Sequence, residues 1–103
     1  MSGLAVSLGR VVTTLGVNTE ISRWGSDVVD FVNACVHRHQ TGDWGDLDPD
    51  DTAANDHASV LGERVLSAYA LPDRVAAKAG RSTLWIITET DRASTTILWP
   101  EEY

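Results

Sequence analysis

Cysteine occurs once in these 103 residues, as Cys35, so no intramolecular disulfide can form and no paired thiolates can hold zinc. Histidine is also scarce, and His37, His39 and His57 never fall at the i, i+4 spacing that brings two metal ligands onto one helix face. Apolar runs are short: no window approaches the ~18 consecutive apolar residues of a membrane-spanning helix. Met1 to Val12 lacks the basic start and long apolar stretch of a secretory leader, so the cytoplasm is the expected compartment. Basic residues are outnumbered, eight Lys and Arg against fifteen Asp and Glu, which gives a formal charge of −7. That balance repels phosphate backbones and anionic lipid, so neither nucleic acid nor a membrane is an expected partner. G-x-S-x-G, G-x-x-x-x-G-K-[ST] and G-x-G-x-x-G are all missing, and the commoner hydrolases and nucleotide folds lose their motif support.

What remains is the composition of one globular domain over residues 1–103, 43% hydrophobic and 22% charged. A chain of this length buries roughly two thirds of its unfolded surface and needs no metal or disulfide to fold. Leu8, Val11, Val12 and Leu15 among Gly and Thr predict a strand near Ser7 to Thr13. Asn18 or Thr19 is expected to cap a short helix through Trp24, ended by Gly25. Ser26 then caps a helix whose Val28, Phe31, Val32, Cys35 and Val36 recur at helical spacing up to His39, with Gly42 as terminator. Asp48-Pro49 is the sharpest local signal. Asp accepts from free backbone N–H groups, Pro lacks the N–H that the first turn leaves unused, and the helix runs to Gly62 with Ala54, Ala58 and Leu61 as its apolar stripe.

The last third changes period. Val65 to Leu71 reads as a strand, although continuing the previous helix through Val65 and Tyr69 also fits the spacing. Pro72 to Arg81 reads as a connecting loop. Leu84 to Thr88 has the β-branched and aromatic content of a central strand, and Thr95 to Trp99 repeats it before Pro100. The expected fold class is α+β: an N-terminal strand, two or three helices, and a C-terminal antiparallel β-meander. Val28, Phe31, Val32, Leu61, Leu84, Ile86 and Ile97 are expected to share its core.

Six of the fifteen acids fall between Asp43 and Asp56. A calcium loop counted from Asp46 fails, because the sharp-turn glycine is replaced by Asp51 and the final bidentate Glu by His57. The plainer reading gives these acids structural work: Asp48 caps, Asp50 and Asp51 complement the helix dipole, and the rest solvate a loop. Trp44 within this polar run either plugs the core from above, the favoured reading, or stands out as an interface anchor. Thr88 to Arg92 is a second polar set, which reads first as a hairpin turn with an Asp91 to Arg92 surface pair.

The run Arg38-His39-Gln40-Thr41-Gly42-Asp43-Trp44-Gly45-Asp46-Leu47, with Ala54-Asn55-Asp56, Ser67-Ala68-Tyr69, Trp85 to Glu89, Thr95 to Leu98 and Pro100 to Tyr103, resembles a family of small bacterial proteins often called plasmid-related proteins. The likeness covers about Arg38 to Tyr103. Some members are labelled as type I restriction methylation subunits, but Asp48-Pro49-Asp50-Asp51 is not the [ND]-P-P-[YF] pocket of an amino-methyltransferase. The resemblance brings no activity with it; it implies carriage on plasmids, phages or integrated elements.

Two functions are therefore expected in competition. The first is a non-enzymatic protein of a mobile element that modulates or inhibits a host factor, such as a restriction or CRISPR component. It would offer Asp43, Trp44, Asp46, Asp50 and Asp51 to a basic protein surface. The second is a small hydrolase or nuclease in which His39, Asp43 and Glu89 supply acid and base and Arg92 steadies an anionic transition state. Neither reading calls for a cofactor or a metal.

Overall fold

Alternation of large apolar residues with small or polar ones sets three C-terminal segments as strands with one face inward. In the computed structural model, which describes residues 6–103, these are β2 (Val65–Ala70), β3 (Thr83–Thr88) and β4 (Ser94–Leu98). They form an antiparallel meander, with Ser67 opposite Ile86 and Ile86 opposite Ile97. β1 (Arg10–Thr13) joins the far edge parallel to β4, giving the order β1-β4-β3-β2. The sheet is thus mixed, and the class is α+β.

The helices are α1 (Leu15–Trp24), α2 (Ser26–Gln40), α3 (Pro49–Leu61) and α4 (Asp73–Ala79), followed by a 3-10 turn over Pro100–Glu102. Val17 of α1, Val28, Val32 and Cys35 of α2 and Val75 and Ala79 of α4 bury against Tyr69, Leu84, Ile86, Ile97 and Trp99. Burial pushes the Cys35 thiol up to about 12, so it is inert as a nucleophile. A second, smaller cluster joins Val6, Trp44, Ala58 and Val65 where α3 meets β2. On the other face of the sheet Trp85 and Leu98 stand opposite each other, as do Ile87 and Thr96. Tyr103 sets its ring edge-on to Trp85 at 5.8 Å, and the Arg64 guanidinium lies 5.2 Å from the Tyr103 ring.

Four expectations need correction. The segment Pro72 to Arg81, expected as a connecting loop, holds α4, which sits within the meander in addition to the three helices that precede it among the described residues. Pro72 and Gly80, read as loop formers, bracket the helix: Pro72 precedes its first turn and Gly80 takes the left-handed C-terminal position at φ 66°. α1 starts earlier than expected because Thr14, not Asn18 or Thr19, accepts from the Val17 N–H. Ser26 makes no side-chain cap; Gly25, at φ 73°, simply turns the chain from α1 into α2. Leu61 is 57% exposed and outside the core, since α3 leans on the edge strand through Asn55 and Ala58 instead of crossing the sheet. Phe31 packs on the core but is only partly buried.

These positions separate by stability. Leu84→Ala is expected to lose about 2–5 kcal/mol, as for a fully buried leucine. Leu61→Ala should stay within about 0.5 kcal/mol of the parent, as exposed substitutions do. Urea midpoints measure both, and equal losses would contradict the placement of α3.

Candidate functional site

The turn after α2 carries most of the residues singled out in the sequence, and backbone geometry dictates its course. Gly42 and Gly45 lie at φ 85° and 78°, and a Cβ on Gly45 would come within 2.0 Å of the Ala68 carbonyl oxygen. Only glycine permits the loop to run this close to β2. Asp43 organises the approach: Arg38 donates to its carboxylate through Nε at 2.7 Å and Nη2 at 3.2 Å, and the Gly45 N–H donates at 3.1 Å. The Arg38 guanidinium holds this carboxyl below its ordinary range. Arg38 also stacks over the Tyr69 ring at 4.7 Å, while the Tyr69 hydroxyl donates to the Asp43 carbonyl at 2.7 Å.

The loop then closes the outer edge of β2. The Asp46 N–H donates to the Ala68 carbonyl at 2.7 Å, the Ala68 N–H to the Trp44 carbonyl at 3.1 Å, and the Ala70 N–H to Asp46 Oδ2 at 2.7 Å. One register step away Asn55 replaces a strand altogether: its amide N–H donates to the Leu66 carbonyl, and its oxygen accepts the Leu66 N–H at 3.3 Å. Edge groups left free would invite pairing with another chain. Trp44 is the core plug rather than an exposed anchor, only 3% exposed, with its indole N–H donated to Asp56 at 2.8 Å. Asp48 accepts from the Asp51 N–H at 2.8 Å and caps α3 as its sequence position predicts.

His39 lies beneath the sheet, fully buried, and both ring nitrogens are engaged. Nδ1 is 2.6 Å from Ser67 Oγ and Nε2 is 2.8 Å from Thr88 Oγ1. The direction of the chain follows from its far end. Thr95 donates its one hydroxyl hydrogen to the Leu8 carbonyl at 2.7 Å, because a carbonyl can only accept. The Thr88 to Thr95 bond of 2.7 Å therefore takes its hydrogen from Thr88. Thr88 must in turn accept from His39 Nε2–H, and Ser67 must donate to Nδ1. The imidazole is neutral, protonated at Nε2, and every donor in the chain has an acceptor. Burial, reinforced by the positive charge of Arg92, pushes the ring from its ordinary 6.5 down to about 4.

Arg92 and Glu89 occupy the β3–β4 turn. Arg92, at φ 59°, does not pair with Asp91; its Nη1 donates to the Glu63 carbonyl at 2.7 Å and the Glu89 carbonyl at 3.0 Å. It thereby serves backbone just past the end of α3, where a positive charge is favoured by the helix dipole. Glu89 sits 3.7 Å from Arg64 at the surface. The cavity of about 400 Å³ beside this turn is lined by Glu89, Thr90, Asp91, Ala93 and Ser94 and includes none of His39, Asp43 or Arg92. The four residues considered for catalysis are each engaged separately: a sealed imidazole, an ion-paired carboxylate, a surface carboxylate and a backbone-bound guanidinium. Among the described residues no three of His, Cys, Asp and Glu converge as metal ligands.

In the turn and the start of α3, Asp46, Asp48, Asp50 and Asp51 are exposed and unpaired with any cation among the described residues, as Asp30, Glu63, Asp73 and Asp91 are elsewhere on the surface. Beside them opens a groove of about 260 Å³ lined by Leu47, Asp51, Ala54, Asn55 and Leu66. Neither Asn55 nor Leu66 is expected as a site residue from the sequence, since nothing local marks an amide that will pair with a strand eleven residues on.

The His39 environment makes stability depend on pH. An unfolded chain takes a proton on this ring near 6.5, while the folded chain refuses it until about 4. The contribution is whole above pH 6.5 and is lost as pH falls toward 4, at about 1.4 kcal/mol per pH unit. Urea unfolding at pH 7, 6 and 5 should show a steeper fall for the parent than for His39→Gln; equal slopes would contradict the neutral ring. No protein-family model, curated protein or solved structure matches this chain, so its functional reading rests on this geometry.

Proposed function

We propose that the chain is a non-catalytic binding protein that docks a basic segment of a host protein onto the start of α3. The observation that carries this reading is the pairing of four uncompensated carboxylates, Asp46, Asp48, Asp50 and Asp51, with the apolar groove of Leu47, Ala54 and Leu66 beside them. The carboxylates supply attraction and steering, and the groove accepts an apolar side chain from between the partner's basic residues. Two of the acids are held before any partner arrives, Asp46 by the Ala70 N–H and Asp48 by the Asp51 N–H. Held side chains lose little freedom on binding. Asp43 contributes less than its place in the sequence suggests, because Arg38 neutralises it, and Trp44 supports the groove from inside.

The likeness to plasmid-related proteins supports carriage on a mobile element, and with it a host factor such as a restriction or CRISPR component as the target. Such proteins work on nucleic acid and expose basic surfaces, which an acidic protein can cover. Inhibition or modulation then follows from occupancy, with no chemistry required of His39, Glu89 or Arg92.

Asp50 and Asp51 are the residues to test, since neither holds a loop in place. A host protein retained by the parent in a pull-down should be lost with Asp50→Lys/Asp51→Lys, whose melting temperature should fall only slightly. Its association rate with the parent should drop at least tenfold between ~50 and ~500 mM salt as the screening length shrinks from ~10 Å at 0.1 M. A retained partner whose association ignores both changes would contradict the reading.

A further inference from the structure

The two edges of the sheet are treated differently. The edge at β2 is closed by Asn55, Asp46 and the backbone of residues 44–46, whereas among the described residues nothing covers β1 in this way. The Arg10 N–H donates to the Ala93 carbonyl and the Thr14 N–H to the Ile97 carbonyl, so Arg10, Val12 and Thr14 turn their backbone groups toward β4. Alternation then points the N–H and carbonyl of Val11 and Thr13 outward. Among the described residues nothing bonds to them. The strand also exposes apolar area: Val11 is 44% exposed, Val12 37% and the adjoining Leu15 81%. It contains no proline or bulge, two of the devices that block an edge.

We propose that β1 pairs with β1 of a second copy of this chain, antiparallel, about a two-fold axis through Val12. The register follows from the outward groups. Setting Val11 opposite the partner copy's Thr13, and Thr13 opposite its Val11, uses all four outward N–H and all four outward carbonyl groups. Shifting by two residues in either direction strands half of them, because Gly9 at φ 62° has left the strand and Leu15 is already helical.

Charge complementarity selects the same register. Arg10 has no ion-pair partner among the described residues. In this arrangement it lies directly opposite Thr14 of the other copy, with both side chains on the same face. Thr14 donates its hydroxyl to Glu102 at 2.6 Å, and the same carboxylate accepts from the Gly16 and Trp99 N–H groups at 3.1 and 2.9 Å. The two-fold therefore presents a fixed carboxylate to each Arg10, twice per dimer. Two chains of charge −7 otherwise repel, so the meeting of Arg10 with the carboxylate of Glu102 makes this edge a favourable place for them to meet. A contact of four residues per strand is small, and the dimer is expected to form and dissociate with concentration.

Sedimentation and register-specific cross-linking test the pairing. The parent should pass from monomer to dimer between about 10 μM and about 1 mM, the affinity range of small interfaces. Val12→Lys, at an exposed site, sets two like charges face to face on the axis and should leave a monomer with an unchanged melt. Val12→Cys brings two thiols across a non-hydrogen-bonded pair with Cα atoms about 4.5 Å apart, within disulfide reach. Val11→Cys places them on a diagonal of about 7–8 Å, beyond it. Under mild oxidation Val12→Cys should cross-link at least tenfold faster, with buried Cys35 taking no part. A monomer throughout that range, a dimer that survives Val12→Lys, or equal cross-linking of the two cysteine variants would overturn the proposal.

Discussion

The His39 imidazole ties the helical layer to the sheet. Through its two nitrogens α2 is joined to β2 at Ser67 and to β3 at Thr88, and Thr88 passes the chain on to Thr95 of β4 and the carbonyl of Leu8. Buried hydroxyls and imidazoles are costly when a single hydrogen lacks an acceptor, and inexpensive when the whole chain is satisfied. Here one directional arrangement satisfies all of it. That requirement sets the depth and rotation of α2 on the sheet, and so fixes where the following turn must leave it. The same arrangement removes His39 from chemistry: a base needs a free lone pair in contact with substrate, and Nδ1 already accepts from Ser67.

The turn leaving α2 inherits this position and uses acids as framework. Asp43 anchors Arg38 over Tyr69, Asp46 serves the Ala70 N–H, Asp56 receives the Trp44 indole, and Asp48 starts α3. Negative charge at the surface of this turn is therefore partly a by-product of building it. Asp46, Asp48, Asp50 and Asp51, unpaired with any cation among the described residues, sit next to the groove of Leu47, Ala54 and Leu66, and the binding proposal rests on that juxtaposition. Among the described residues the opposite edge, β1, has no equivalent framework, and its outward backbone groups and valines are left without partners there.

Local chemistry in the sequence was enough for the elements whose boundaries are made locally. Asp48-Pro49 and Gly62 delimit α3, and the β-branched run before Glu89 is β3, one of the two central strands. α4 was hidden because seven residues carry too little period to outweigh the flanking Pro72 and Gly80, residues that serve loops and helix ends alike. Leu61 was misplaced because helical spacing gives a stripe but not the element against which it packs. At the site the limits are similar. The partners of His39 stand 28 and 49 residues away, as serine and threonine that no motif marks. Arg92 looked available for an anion because its engagement with the Glu63 carbonyl depends on a left-handed backbone at that position.

The keying role of a neutral His39 is tested most directly by an NMR titration of its ring in the folded protein. Nitrogen and carbon shifts should report one unchanging species, protonated at Nε2 and unprotonated at Nδ1, from pH 8 down to the approach of pH 4. A ring that titrates near 6.5, or that carries its hydrogen on Nδ1, would mean that Ser67 and Thr88 do not hold it as described.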